Sequence, residues 1–298
     1  MSALSQLTSD IVGLTKASPV SRRSFFMTAS AAAAAGYTLA AGPVRAQAIK
    51  TDATGLATGE VLVKAAGGEM PAYFARPEKG KNWPVVLVAM EIFGLHEYIK
   101  DVTRRLAKAG ALAIAPNYYF RSGQDLTKMT EFPKIMPIVN AKPDAELMAD
   151  LDATVAMAKS LGGNTRRLGI IGFCRGGRNV WQYAAHNKNL RAGVAFYGTL
   201  VDPPAQKERW PKSPTERAAE MKAPVLGLYG EADQGISVAQ VEAMKEALAK
   251  AKKKAEFKIY PGAPHGFHAD YRPSYRKEAA EDGWKQALTW LKKNKVLS

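Results

Sequence analysis

Short runs of continuously apolar residues, separated by stretches of helical periodicity, recur through most of the chain. Val85–Met90, Ala111–Ala115, Leu168–Phe173, Ala192–Tyr197 and Val225–Tyr229 are such runs, and each predicts a strand covered on both faces by other layers. Ala255-Glu256-Phe257-Lys258-Ile259-Tyr260 alternates instead, which suits an edge strand. Between the strands, His96–Lys108 places Tyr98, Val102 and Leu106 on one helical face. Ala145–Leu161 does the same with Leu147, Leu151, Val155 and Ala158, and Val238–Lys252 and Tyr275–Leu291 continue the series. Strand and helix in alternation predict the α/β class: a mostly parallel, doubly wound sheet flanked by helices. Leu56–Ala75 predicts a leading hairpin that turns at Gly67-Gly68. The stretch from Arg121 to Pro143, rich in Pro, Lys and Thr, is expected to be an irregular loop. It follows the carboxyl end of a strand, where ligands bind in sheets of this kind.

The first 48 residues break this pattern. Ser21-Arg22-Arg23-Ser24-Phe25-Phe26 leads into the uncharged, alanine-rich Met27–Ala41, and small residues follow in Gly42-Pro43-Val44-Arg45-Ala46-Gln47-Ala48. A cationic start, an apolar run and a small-residue exit form an export signal, and paired arginines before Phe resemble the twin-arginine type. Residues 1–48 are therefore expected to be a leader read by the export machinery and cleaved after Ala46 or Ala48. The periplasm is the expected destination, and no membrane span is expected to remain after cleavage. Residues 49–298 would form one α/β domain, since no repeat, linker or composition break divides them.

Composition narrows the classes. With 47% hydrophobic and 23% charged residues, the chain has ample material for a core, which excludes intrinsic disorder. A single cysteine excludes an intramolecular disulfide scaffold and the second thiol of a redox pair. The formal charge of +15 loses three with the leader, which holds Lys16, Arg22, Arg23 and Arg45 against Asp10. The remaining lysines spread along helices such as Lys245–Lys254 and Lys285–Lys295 without a basic stripe interleaved with aromatics, so no nucleic-acid partner is expected. No His, Asp and Glu cluster has metal-ligand spacing, and no cofactor or metal is implied. No residue pattern sets an oligomeric state, and a monomer is compatible with the sequence.

One turn carries candidate chemistry. Ile170-Ile171-Gly172-Phe173-Cys174-Arg175-Gly176-Gly177-Arg178 joins a buried strand to a helix predicted over Asn179–Ala185. Gly172, Cys174 and Gly176 fit G-x-nucleophile-x-G, with cysteine at the nucleophile position. The flanking positions must be small for the chain to close, and the helix N-terminus favours a thiolate and a developing oxyanion. Cys174 alone could equally be a small buried core residue. Its neighbours in chain order change that balance. Asp233 follows the strand Val225–Tyr229, and His265 follows Ala255–Tyr260, which is the acid-then-histidine order an elbow hydrolase uses. His268 is the rival base, whereas His96 and His186 stand at helix ends outside that order. Asp233 is also a candidate N-cap for the helix that follows it.

Taken together, these segments resemble the dienelactone hydrolases (carboxymethylenebutenolidases), and the likeness covers the whole of residues 49–298. Gly172-Phe173-Cys174-Arg175-Gly176-Gly177 resembles the family's nucleophile turn, and Glu91-Ile92-Phe93-Gly94 its early glutamate motif. Ala115-Pro116-Asn117-Tyr118-Tyr119-Phe120-Arg121 resembles its substrate-arginine segment, with Asn117 in place of an aspartate. Tyr229-Gly230-Glu231-Ala232-Asp233 and His265-Gly266-Phe267 supply the acid and base. The resemblance implies an α/β-hydrolase fold and hydrolysis of a lactone or carboxylic ester bearing a carboxylate, through an acyl thioester on Cys174. It also implies that Glu91 accepts the thiol proton, that His265 supports the thiolate and that Asp233 orients His265. The backbone N–H groups of Ile92 and Arg175 would form the oxyanion hole, and Arg121 would bind the substrate carboxylate. The family's second carboxylate-binding arginine, four residues after the histidine, is Ala269 here, with Arg272 and Arg276 nearby. The alternatives are a cysteine esterase of broader specificity, or a binding protein of this fold without catalysis.

Overall fold

The computed structural model describes residues 49–298; the proposed leader lies outside them. Eight strands form one sheet in the order β1-β2-β4-β3-β5-β6-β7-β8. The leading hairpin is β1 (Leu56–Ala65) and β2 (Gly68–Pro77), paired antiparallel along their whole length with Ala65 opposite Gly68. β2 also runs antiparallel to β4 (Leu112–Pro116), and every other pairing is parallel. β3 (Trp83–Ala89) and β5 (Gly163–Phe173) pair at the centre; β5 starts five residues before the apolar run Leu168–Phe173, with a polar first half that is only partly buried. β6 (Leu190–Phe196) and β7 (Val225–Gly230) follow. β8 (Ala255–Tyr260) closes the far side as the edge strand its alternation predicts.

Helices cover both faces. α1 (Glu97–Lys108) buries Tyr98, Val102 and Leu106 as its periodicity requires. α2 (Phe132–Ala141) lies inside the stretch expected to be irregular. Its Pro133 stands in the first turn, where a missing N–H is harmless, and Ile135 and Val139 supply a buried stripe despite Pro137. α3 (Asp144–Ser160) follows immediately and carries Asp150, whose buried carboxylate matters below. α4 (Arg175–His186) begins four residues earlier than expected, directly after Cys174, and eleven of its twelve residues are buried. α5 (Val238–Lys250) is capped by Ser237, whose hydroxyl accepts from the Gln240 N–H while the Gln240 side chain returns the bond. The capping role open to Asp233 therefore falls to Ser237. α6 (Lys277–Lys293) ends the fold. Among the described residues no helix is long and apolar enough to cross a membrane.

Candidate active site

The turn after β5 is tight for a steric reason. A Cβ on Gly172 would stand 2.2 Å from the Gly176 carbonyl oxygen, and one on Gly176 would stand 2.0 Å from that of Ala89. Both distances are far inside contact, so only glycine lets the strand, the elbow and the segment after β3 meet. Between them Cys174 takes φ 55° and ψ −117°, a conformation that costs a non-glycine residue about 1–3 kcal/mol. The surrounding packing holds it there: the Cys174 N–H donates to Phe196 O at 3.0 Å and its carbonyl accepts from the Arg178 N–H at 3.2 Å. The closure also lays Ala89 and Met90 against the first turn of α4 at Gly176. Tyr118 pins this junction, donating to Met90 O at 2.6 Å while its hydroxyl accepts from Asn179 Nδ2 at 3.2 Å.

The ends of β7 and β8 deliver the acid and the imidazole. Asp233 Oδ1 accepts from the Gly235 and Ile236 N–H groups at 2.8 and 3.0 Å, which turns Oδ2 toward His265 Nδ1 at 2.7 Å. Both residues are buried. Burial works against a charge on His265, but attraction to Asp233 and Cys174 and the hydrogen bonds to both outweigh it, pushing the imidazole up to about 10. His268 has a different environment. Its Nδ1 lies 2.6 Å from the Tyr98 hydroxyl among Phe173, Phe196 and Trp284. Burial, reinforced by the Arg105 charge, lowers it to about 3, so it stays neutral. His186 pairs with Asp152 at 2.7 Å, well removed from the elbow.

Glu91 stands at the end of β3, almost wholly buried. Its Oε2 accepts from the Tyr271 hydroxyl at 2.6 Å and lies 3.2 Å from His96 Nε2, while Arg272 is 3.7 Å from Oε1. Burial favours the neutral acid, yet the Arg272 charge, His96 and the Tyr271 hydrogen bond together hold this carboxyl down at about 2. Arg272 also feels the charge of Cys174, which ties this cluster to the elbow. Sequence reasoning set His96 aside and did not single out Tyr271. The five-residue spacing from Glu91 to His96 was the available signal for the first, whereas Tyr271 lies 180 residues away and left none. The Arg276 guanidinium donates to the backbone carbonyls of Pro273 and Tyr275, at an exposed position.

Arg121 is engaged by acidic residues of this chain. Its guanidinium holds Asp150 in a two-pronged pair at 2.8 Å on each prong, lies 3.0 Å from Glu146 and bonds the Ala66 carbonyl. The fork that was to receive a substrate carboxylate is thus engaged by carboxylates of this chain. Arg121 lines a cavity of about 420 Å³ together with Tyr118, Tyr119, Ile138 and Lys142. No group of acidic, histidine or cysteine residues among the described residues could hold a metal ion.

With this geometry in place, the family model for the dienelactone hydrolases matches residues 70–295. This chain belongs to the dienelactone hydrolase family. It is a hydrolase of that family, and relatives match it along most of their length. A protein of Methylorubrum extorquens named "Putative carboxymethylenebutenolidase" is 51% identical over 286 residues, covering 95% of this chain and 96% of the relative. One of the same name from Escherichia coli (strain K12) is 45% identical over 259 residues, 86% of this chain and 94% of the relative. Among solved structures, a "Putative Dienelactone Hydrolase" from Klebsiella pneumoniae superposes with a TM-score of 0.77 at 46% identity, covering 80% of this chain and 98% of the other.

Proposed function

We propose that this dienelactone hydrolase family member cleaves a lactone or carboxylic ester through Cys174, His265 and Asp233. The observation that carries the reading is the buried Asp233–His265 hydrogen bond of 2.7 Å, with Cys174 adding to the attraction that keeps His265 charged. In this mechanism the Cys174 thiolate attacks the ester carbonyl carbon, and the oxyanion is met by the Ile92 and Arg175 N–H groups. The C–O bond breaks, the leaving oxygen takes the proton held on His265, and an acyl thioester remains. Water, deprotonated by His265, attacks the thioester carbonyl. The acid leaves, and the proton returns to the Cys174–His265 pair.

This route changes the role of Glu91. A carboxyl held at about 2 by Arg272, His96 and Tyr271 is a weak base, whereas His265 at about 10 is a strong one. In this route His265 is the better acceptor for the thiol proton, and Glu91 serves as a fixed charge that positions Arg272 and Tyr271. Iodoacetamide tests the whole reading. Purified protein should hydrolyse an activated ester such as para-nitrophenyl acetate and lose at least about 95% of that activity on alkylation, with Cys174 carrying the adduct by peptide mass spectrometry. Activity unaffected by complete alkylation would refute it.

Residues 1–48 are proposed as the twin-arginine leader of an exported, periplasmic enzyme, on the order of Arg22-Arg23, the alanine run and the small-residue exit. Arg22→Lys with Arg23→Lys should leave uncleaved precursor in the cell, and mass spectrometry of exported protein should find Gln47 or Ile49 as its first residue. Export of the double variant at the normal rate would remove this assignment.

A further inference from the structure

Four arginines are buried among the described residues: Arg104, Arg175, Arg178 and Arg272. Three hold or approach a carboxylate of this chain. Arg104 pairs with Glu97 and Asp101, Arg178 with Asp144 and Asp202, and Arg272 lies 3.7 Å from Glu91. Arg175 has no carboxylate within 4 Å among the described residues, although it is only 7% exposed and directly follows Cys174.

What Arg175 has instead is a platform. Its guanidinium carbon lies 3.6 Å from the ring centroid of Trp210, which is itself buried and fixed by a 2.9 Å bond from Nε1 to Lys142 O. An indole beneath the guanidinium occupies its face and not its in-plane N–H groups, which grip a carboxylate with two parallel bonds and of which one meets Tyr119 here. The Tyr119 hydroxyl interacts with both Arg175 and Cys174, and Tyr119 is one of the residues that line the 420 Å³ cavity. Burial and the neighbouring Arg178 push the Arg175 pKa down, as expected of a cation short of compensating charge. Asp144 and Asp202 attract it from a distance, but their oxygens are engaged by Arg178.

We propose that Arg175 is the anion anchor of this enzyme: its guanidinium binds a carboxylate carried by the substrate while the scissile ester lies at Cys174. The proposal rests on the hydrolase reading above and assigns to Arg175 the task that the sequence pattern assigned to Arg121. A short dicarboxylic monoester or a lactone with a free carboxylate is the matching substrate class.

The test compares two esters of similar length, the para-nitrophenyl monoester of glutaric acid and neutral para-nitrophenyl pentanoate. The wild-type enzyme should favour the anionic ester in kcat/KM, and Arg175→Met should shrink that preference about 10–100-fold, the range expected for lost hydrogen bonds to a charged group. Arg175→Lys keeps a cation over Trp210 but has no planar fork, so it too should lower the preference, and it serves if methionine there prevents folding. Glutarate should inhibit competitively and alter tryptophan fluorescence, with its apparent affinity falling at least about tenfold in either variant. Equal losses for both esters, or a preference that collapses in Arg121→Met and survives in Arg175→Met, would overturn the anchor. Ester turnover by Cys174→Ala would instead refute the hydrolase mechanism, and the glutarate titration would still decide the anion site.

Discussion

Cys174→Ala should lower kcat/KM for an activated ester by at least about 10⁴-fold, to the level of residual catalysis by binding and the oxyanion donors. The size follows from what is removed. Without the sulfur no acyl thioester forms, and the attraction from Cys174 that helps keep His265 charged disappears. Alanine relieves nothing at the backbone, because any side chain at residue 174 must accept the same positive φ. The fold should therefore survive, and urea denaturation with far-ultraviolet circular dichroism will show whether it does. A folded variant with activity within tenfold of wild type would remove Cys174 from the mechanism. Mass spectrometry during turnover gives an independent reading: the wild type should accumulate an acyl adduct on the peptide containing Cys174, and the variant should not.

Asp233→Asn should cost about 10³–10⁴-fold in kcat, nearly as much, while leaving the shape of the site intact. Asparagine can still accept from the Gly235 and Ile236 N–H groups through its carbonyl oxygen. Its amide then faces His265 Nδ1, where it offers a donor and no negative charge. The imidazole loses its largest source of stabilisation as a cation and is turned toward the wrong tautomer. The pH dependence of stability gives a second readout. His265 in the folded wild type is raised from 6.5 to about 10, so its ion pairing contributes fully below pH 6.5 and is lost as pH rises through about 10. Urea denaturation of the wild type should show stability falling across that interval, and Asp233→Asn should flatten the fall. Wild-type kcat with unchanged pH behaviour in this variant would mean that Asp233 is not the partner of the catalytic base. Glu91 acts in the opposite sense and in another window. Lowered from 4.5 to about 2, its contribution is complete above pH 4.5 and disappears as pH falls through about 2, so the alkaline fall belongs to His265.

The contrast between Arg121 and Arg175 bears on specificity within this family. Both are arginines near a strand's carboxyl end, and the motif around Arg121 gave it the stronger claim. In the folded chain Asp150, a residue of α3 with a buried carboxylate, pairs with both Arg121 and Lys142. Turning Arg121 toward a substrate would leave the buried Asp150 with Lys142 alone, at the cost of a two-pronged ion pair. Arg175 has no carboxylate within 4 Å among the described residues, and its guanidinium stacks on Trp210. Glu91 is likewise held by partners of this chain: Arg272, His96 and Tyr271 favour its charged form.

The sequence by itself determined the α/β class, the strand runs, the edge strand β8 and the positions of Cys174, Asp233 and His265 at strand ends. These are local matters. A strand buried on both faces must be apolar throughout, and an elbow must have glycine two residues to either side, because backbone atoms stand within 2.2 Å of where their Cβ atoms would be. One local signal misled: the prolines of Phe132–Ala141 suggested a loop, although one occupies the first turn and the buried stripe of Ile135 and Val139 holds the helix. Tertiary structure decided which imidazole meets the carboxylate, which partners surround Glu91, and which arginines are already engaged. Those outcomes depend on long-range pairing: Tyr271 reaches Glu91 across 180 residues, and Tyr98 reaches His268 across 170. A charged side chain looks the same in the sequence whether its partner lies within the protein or arrives with the substrate, and only the buried geometry distinguishes the two.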